Sequence, residues 1–296
     1  MLEQLAVDPT AVAQAVEPLQ VSQNEAYEYI QDDALLSSSL WANIALAGVS
    51  ILLFLYMGRN LQSDRAKLIW VATMLVPLVS IASYSSLVSG LTVSFTEMPA
   101  GHALADTANI AESAGIPGEG AFSPWGRYLT WTLSTPMILV ALGLLADTDR
   151  TTLFTAVTMD VGMCVTGLAA AMVTSNLALR WIFYGISCAF FVAVVYILLV
   201  EWPADAAEAG TDEIFGTLKV LTVVLWLAYP VVWAVGAEGL ALIESAGLTS
   251  WAYSALDILA KYVFAFLLLR WVAANDRLVA GGGTTAAAGE AAPADD

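Results

Sequence analysis

Polar and charged residues in this chain are gathered between seven long apolar runs. A helix that crosses a bilayer needs about 20 largely apolar residues. Runs of that kind lie around Leu40–Gly58, Leu68–Leu91, Tyr128–Ala146, Thr152–Val173, Trp181–Val200, Leu218–Gly236 and Leu248–Val272. The pattern predicts an all-α membrane protein, a bundle of seven transmembrane helices. Most connections are short and carry the turn residues. One, from Thr92 to Gly126, is long and rich in Gly, Pro and small polar residues. Residues 1–36 read as an acidic segment ahead of the bundle, 37–275 as the bundle, and 276–296 as a low-complexity, disordered tail. The first 36 residues lack the positive start and continuous apolar core of a cleavable signal.

Composition agrees. The 296 residues are 59% hydrophobic and 12% charged, against about 25% charged in a soluble domain, and mean hydropathy is +0.74. The net charge of −17, with only ten Lys and Arg, leaves too little positive charge to neutralise phosphates, so nucleic acid is excluded as a partner. Glu3, Asp8, Glu17, Glu25, Glu28, Asp32 and Asp33 all precede the first run. Such an acidic exterior stays hydrated, as suits a high-salt habitat; an ordinary acidic surface accounts for it equally well. Cys164 and Cys188 fall inside apolar runs and read as small fillers. His102, in the long connection, reads as a surface residue. No metal site and no catalytic residue is expected.

Orientation follows from Lys and Arg. Arg59, Arg65 and Lys67 fall in the first connection, Arg150 in the third and Lys219 at the end of the fifth, while Arg270 and Arg277 close the last run. The N-terminal segment has none, and the long connection has none before Arg127. The N-terminus is therefore expected outside and the C-terminus inside. Arg180, beside the fourth connection, is the exception.

Ionisable groups inside spans are functional hypotheses by default. Asp257 and Lys261 are four residues apart and share one face of the last helix. They read either as a packing ion pair or as a lysine whose amine forms a Schiff base with an aldehyde, the carboxylate serving as counterion. On the third run Arg127, Thr130, Trp131, Ser134, Ile138 and Ala141 form a stripe. The competing reading of its two hydroxyls is back-bonding to helix carbonyls. On the sixth, Trp226, Tyr229 and Trp233 recur at helical spacing, with Pro230 beside them. Rings this deep in a span suit a clamp on a flat conjugated ligand.

Together these stretches resemble the microbial rhodopsins, and among them the archaeal halorhodopsins, which are light-driven chloride pumps. The resemblance runs from Leu36 to Asn275 and is carried by RYLTWTLSTP, GMCVTGLAAAM, ISCAFF, YPVVWAVGAEGLAL and DILAKYVFAFLLLRW, with SLVSGLTV and EMPAGHALAD flanking the long connection. It implies all-trans-retinal bound to Lys261 as a protonated Schiff base with Asp257 as counterion. Trp131, Trp226, Tyr229 and Trp233 would sandwich the polyene, and Thr135, Met163, Gly167, Ser187 and Pro230 would complete the wall. It also implies an archaeal cell membrane and a homo-oligomer, a trimer being the family's expectation. Tyr184 stands where proton-pumping relatives carry Trp, and is left out of that set.

Fold alone cannot say what is moved. Proton pumps of this family carry acids at the positions of Thr130 and Ala141, and here neither residue titrates. Sodium pumps need Asn, Asp and Gln across Thr130, Ser134 and Ala141, which are absent. A charge count agrees. The protonated Schiff base and Arg127 are positive, Asp257 is negative, and Asp160 reads as a protonated structural acid. One positive charge remains in a low dielectric, where it demands a partner. Chloride or another halide fits, bound by Thr130, Ser134, Arg127 and the Lys261 N–H. Lys219 and Thr222 match an exit region, or equally a positive-inside anchor and a helix hydroxyl. Glu238 either shapes anion access with Arg127 or is a solvated loop acid. The alternative function is a phototaxis sensor of the same fold.

Overall fold

In the computed structural model the described residues are 21–105 and 120–281. Glu3, Asp8 and Glu17, residues 106–119 of the long connection and the tail from 282 lie outside them. Seven described helices are long and apolar enough to cross a membrane: Ala34–Gly58, Asp64–Val88, Gly126–Ala146, Arg150–Met172, Leu177–Glu208, Asp212–Val235 and Ala246–Ala274. Each overlaps the matching run: the second run overshoots its helix by three residues and the fourth and sixth by one, while all seven helices begin ahead of their runs. Side chains just ahead of three helices cap them, satisfying the first orphan N–H groups. Asp33 accepts from the Leu35 and Leu36 amides, Asp149 from Thr151 and Thr152, and Asn176 from Ala178 and Leu179.

The third and seventh helices are the most enclosed of the seven. The others turn large apolar side chains outward, such as Leu52, Phe154 and Val192. That inversion suits lipid as the outer solvent. The fifth and seventh helices each contain a π-helical stretch, Ile197–Glu201 and Ile258–Val263. Lys261 lies in the second. One widened turn of this kind is frequent at functional sites, and periodicity gives no sign of it.

One end of the bundle is roofed. The long connection begins and ends as a hairpin, β1 (Ser94–Thr96) against β2 (Ala121–Ser123), with Phe95 opposite Phe122. A short helix, Gln23–Asp32, precedes the first span, and its Tyr29 packs on both rings at 5.1 and 5.3 Å. The boundary drawn at residue 276 falls inside structured chain. Asp276–Val279 form a helical turn, and the Asp276 carboxylate accepts from the Gln62 and Ser63 amides.

Two residues differ from expectation. His102 is buried, not on the surface, in the turn that follows β1, where its Nδ1 accepts from the Leu104 amide. Burial, and then the nearby Arg180 guanidinium, hold its pKa below the usual histidine value. Arg180 is fully buried too. It donates to the carbonyls of Ala171, Val173 and Glu238, tying the fourth connection to the sixth. Its place in the charge pattern therefore reports an internal brace rather than a loop facing the positive side.

Candidate retinal and anion site

The central pair is built by the seventh helix. Asp257 ends its first α-helical section and Lys261 lies one widened turn later, so the two side chains meet, with Nζ 3.0 Å from Oδ2. Both are buried to within 1%. Three other donors converge on the carboxylate: Tyr84 O–H at 2.7 Å, Tyr229 O–H at 2.7 Å and Trp131 Nε1–H at 3.3 Å. A carboxylate has about four acceptor sites, so Asp257 is filled. Lys261 is not. Its ammonium has three N–H bonds, and among the described residues only Asp257 accepts one.

Beside this pair lies a cavity of roughly 690 Å³ between the third, fourth, fifth, sixth and seventh helices. All nine wall residues expected from the resemblance line it: Trp131, Thr135, Met163, Gly167, Ser187, Trp226, Tyr229, Pro230 and Trp233. Rings form its two ends. Trp131 meets Tyr229 and Tyr253 at 5.2 Å each, and Tyr184 stacks on Trp233 at 4.6 Å. Sequence reasoning missed several wall positions, including Tyr128, Cys164, Tyr184, Cys188 and Tyr253. Some were legible: Tyr184, Ser187, Cys188 and Phe191 form an i, i+3, i+4, i+7 stripe, and Tyr253 lies one turn before Asp257. Tyr84, on the second helix, gave no signal.

The anion-side residues are distributed differently. Arg127 is buried and donates from Nη2 to Ser250 Oγ at 3.0 Å, with its guanidinium 4.7 Å from the Tyr253 ring centroid. No described carboxylate lies within ion-pair distance of it. Thr130 bonds with Ser83 and also donates to the Gly126 carbonyl, while Ser134 donates to the Thr130 carbonyl at 2.6 Å. Both hydroxyls are thus back-bonded, the competing reading of the stripe, and each must rotate to donate to an anion.

Arg127 and Glu238 line a second, smaller cavity of roughly 470 Å³ on the roofed side. Glu238 is not a solvated loop acid, since it accepts from Tyr128 O–H at 3.0 Å and burial raises its pKa. Asp160 accepts one hydrogen bond, from Thr135, and its other oxygen has no partner. Thr222 is buried with an unpartnered hydroxyl, one turn before Trp226. Lys219 lies a turn further from the cavity, its Nζ 5.9 Å from the Phe215 ring. Cys164 and Cys188 are both free.

The sequence pattern of the bacteriorhodopsin-like protein family matches residues 34–275. The chain is also 68% identical over 288 residues to cruxhalorhodopsin-3 of Haloarcula vallismortis, covering 97% of this chain and all of that protein. The chain belongs to the bacteriorhodopsin-like family, in its halorhodopsin branch. Its fold is similar to the solved structure described as halorhodopsin, a light-driven chloride pump, with a TM-score of 0.78 and 65% identity over 84% of this chain and 99% of that one. The bromide-bound form of halorhodopsin from Halobacterium salinarum gives 0.78 and 64% identity, over 84% and 98%.

Membership implies retinal, and the site fits it. The cavity is lined almost wholly by apolar and aromatic side chains, which suits a flat polyene. The unfilled N–H bonds of Lys261 point the same way. A buried ammonium short of two acceptors is costly, whereas a protonated imine on the same nitrogen keeps one N–H, which Asp257 alone satisfies.

Proposed function

We propose that this chain is a light-driven inward chloride pump of an archaeal cell membrane, with retinal carried on Lys261 as a protonated Schiff base. The observation that carries the reading is the saturation of Asp257. Four donors fill its acceptor sites, and Thr130, a residue that cannot titrate, stands where a proton acceptor would be needed. Two fixed positive groups, at Lys261 and Arg127, then face one negative group. A bound halide restores neutrality, and without it the low dielectric leaves a charge uncompensated.

When bound, retinal supplies a light-driven isomerisation that re-aims the Schiff-base N–H. The chain's residues do the rest. Asp257 anchors the Lys261 nitrogen to the shell formed by Tyr84, Tyr229 and Trp131. Arg127 draws the anion through the roofed cavity, and Thr130 and Ser134 turn their hydroxyls from helix carbonyls toward it. Thr222, buried with an unspent hydroxyl, and Lys219 offer the next contacts on the far side of Trp226. Glu238 shapes access on the roofed side, which the Lys and Arg distribution makes extracellular. The outward apolar faces suit contact with lipid and with neighbouring copies in a homotrimer.

The test is ion movement. In retinal-loaded cells or vesicles of native orientation, inward chloride flux draws protons in passively, so illumination turns the medium alkaline and a protonophore enhances the change. Acidification abolished by the protonophore would overturn the reading. A phototaxis sensor would give no sustained change in either direction.

A further inference from the structure

We infer that Ser250, oriented by Ser39, is a positioning residue that holds Arg127 without neutralising it and so sets the affinity for the anion. The inference rests on the reading of Arg127 as an anion-site residue.

A buried guanidinium is ordinarily held by a carboxylate, and in that arrangement its charge is spent. Arg127 is held otherwise. Its Nη2 donates to Ser250 Oγ at 3.0 Å, and Ser250 Oγ lies 2.6 Å from Ser39 Oγ on the first helix. Ser39 Oγ also donates to the Leu36 carbonyl at 2.7 Å. Each hydroxyl has one proton. Ser39 uses its proton on Leu36, so Ser250 must donate to Ser39 and present a lone pair to Arg127. The chain of bonds therefore runs one way, from guanidinium to Ser250 to Ser39 to a backbone carbonyl.

Every member except Arg127 is neutral, and both serines are almost wholly buried. The second contact of Arg127, the Tyr253 ring, is also neutral. Arg127 Nε has no hydrogen-bond partner. The guanidinium is thus fixed in place by groups that leave its full charge, and a free N–H, to an anion. Without the tether, Arg127 is free to turn toward Glu238, which shares the roofed cavity, and a pair formed there would remove the charge from the anion's path.

Chloride titration of the retinal-loaded protein, followed by its visible absorption, tests this. Ser250→Ala is expected to weaken chloride binding by roughly ten- to a hundredfold, the scale of one hydrogen bond to a charged group. Ser39→Ala should weaken it in the same direction, and the double variant should be no worse than Ser250→Ala, since both cut one chain. Ser250→Thr, which keeps the hydroxyl, should restore binding. Ser254→Ala provides the structural control. Ser254 bonds the same first helix through the Ser39 carbonyl, whereas the Arg127 guanidinium donates to Ser250. It should lower thermal stability about as much as Ser250→Ala while leaving chloride affinity unchanged.

Equal chloride affinity in Ser250→Ala and the parent, while Arg127→Gln weakens binding, would overturn the tether and leave the anion-site reading standing. Unchanged affinity in Arg127→Gln would overturn both. Equal weakening by Ser254→Ala and Ser250→Ala would reduce the serines to packing and also overturn the tether.

Discussion

Asp257 receives the Lys261 ammonium at 3.0 Å from one turn away on the same helix, and three residues from three other helices complete its shell. The carboxylate is therefore the hub that ties the second, third and sixth helices to the seventh. Removing its charge would leave Lys261 buried and unpaired. Breaking a buried pair in this way costs about 3–5 kcal/mol. Asp257→Asn should lower the thermal unfolding midpoint of the retinal-free protein, or prevent its purification as a folded species. Tyr229→Phe, which removes one of four donors, should cost only about 1 kcal/mol. Comparable loss in the two variants would show that the hub is not held by charge.

Lys261→Ala removes the amine and with it the covalent link expected for retinal. The visible absorption band should be absent after retinal is added. Much of the cavity wall is untouched, so free retinal is still expected to quench tryptophan fluorescence in the variant. A full visible band in Lys261→Ala would place the attachment elsewhere.

Thr130→Asp introduces a second carboxylate on the stripe that carries Arg127. It supplies the negative charge that a halide otherwise supplies, so chloride affinity should fall at least tenfold, read from chloride-dependent shifts of the visible band. The estimate is conservative, since a like charge close by in a low dielectric repels by more than about 1.4 kcal/mol. An unchanged titration would remove Thr130 from the anion site.

The seven helices and the lysine–aspartate pair were legible because the signals are local. A span needs only length and apolarity, and an i, i+4 pair needs only spacing. The nine wall residues carried over by resemblance all line the cavity. What stayed hidden is non-local or irregular. Tyr84 reaches Asp257 from a separation of 173 residues, and Ser39 reaches Ser250 from 211. No periodicity records such pairs. The π-helical turn that carries Lys261 leaves no mark in the apolar pattern, His102 looked exposed because it lies in a connection rather than a span, and Arg180 broke the charge pattern because it braces two connections from within. The hydroxyls of Thr130 and Ser134 were legible as a stripe, but their bonds to helix carbonyls are a matter of rotamer.

Glu238 supplies a pH dependence of definite sign. Burial raises its pKa above the ordinary glutamate value, partly offset by Arg180, Tyr128 and Arg127. The folded protein thus holds the proton at a pH where the unfolded chain has released it. Stability from this group is fully present below the unfolded value of about 4.3 and is lost as pH rises through the raised folded value. Above that it is constant. Other groups titrate too, His102 with the opposite sign, so the clean measurement is a difference. The unfolding midpoint of the parent minus that of Glu238→Gln should fall as pH rises from the ordinary glutamate range and then level off. A difference that rises with pH would mean that the Arg180 and Arg127 charges outweigh burial, and that Glu238 acts as their counterion rather than as a buried acid bonded to Tyr128.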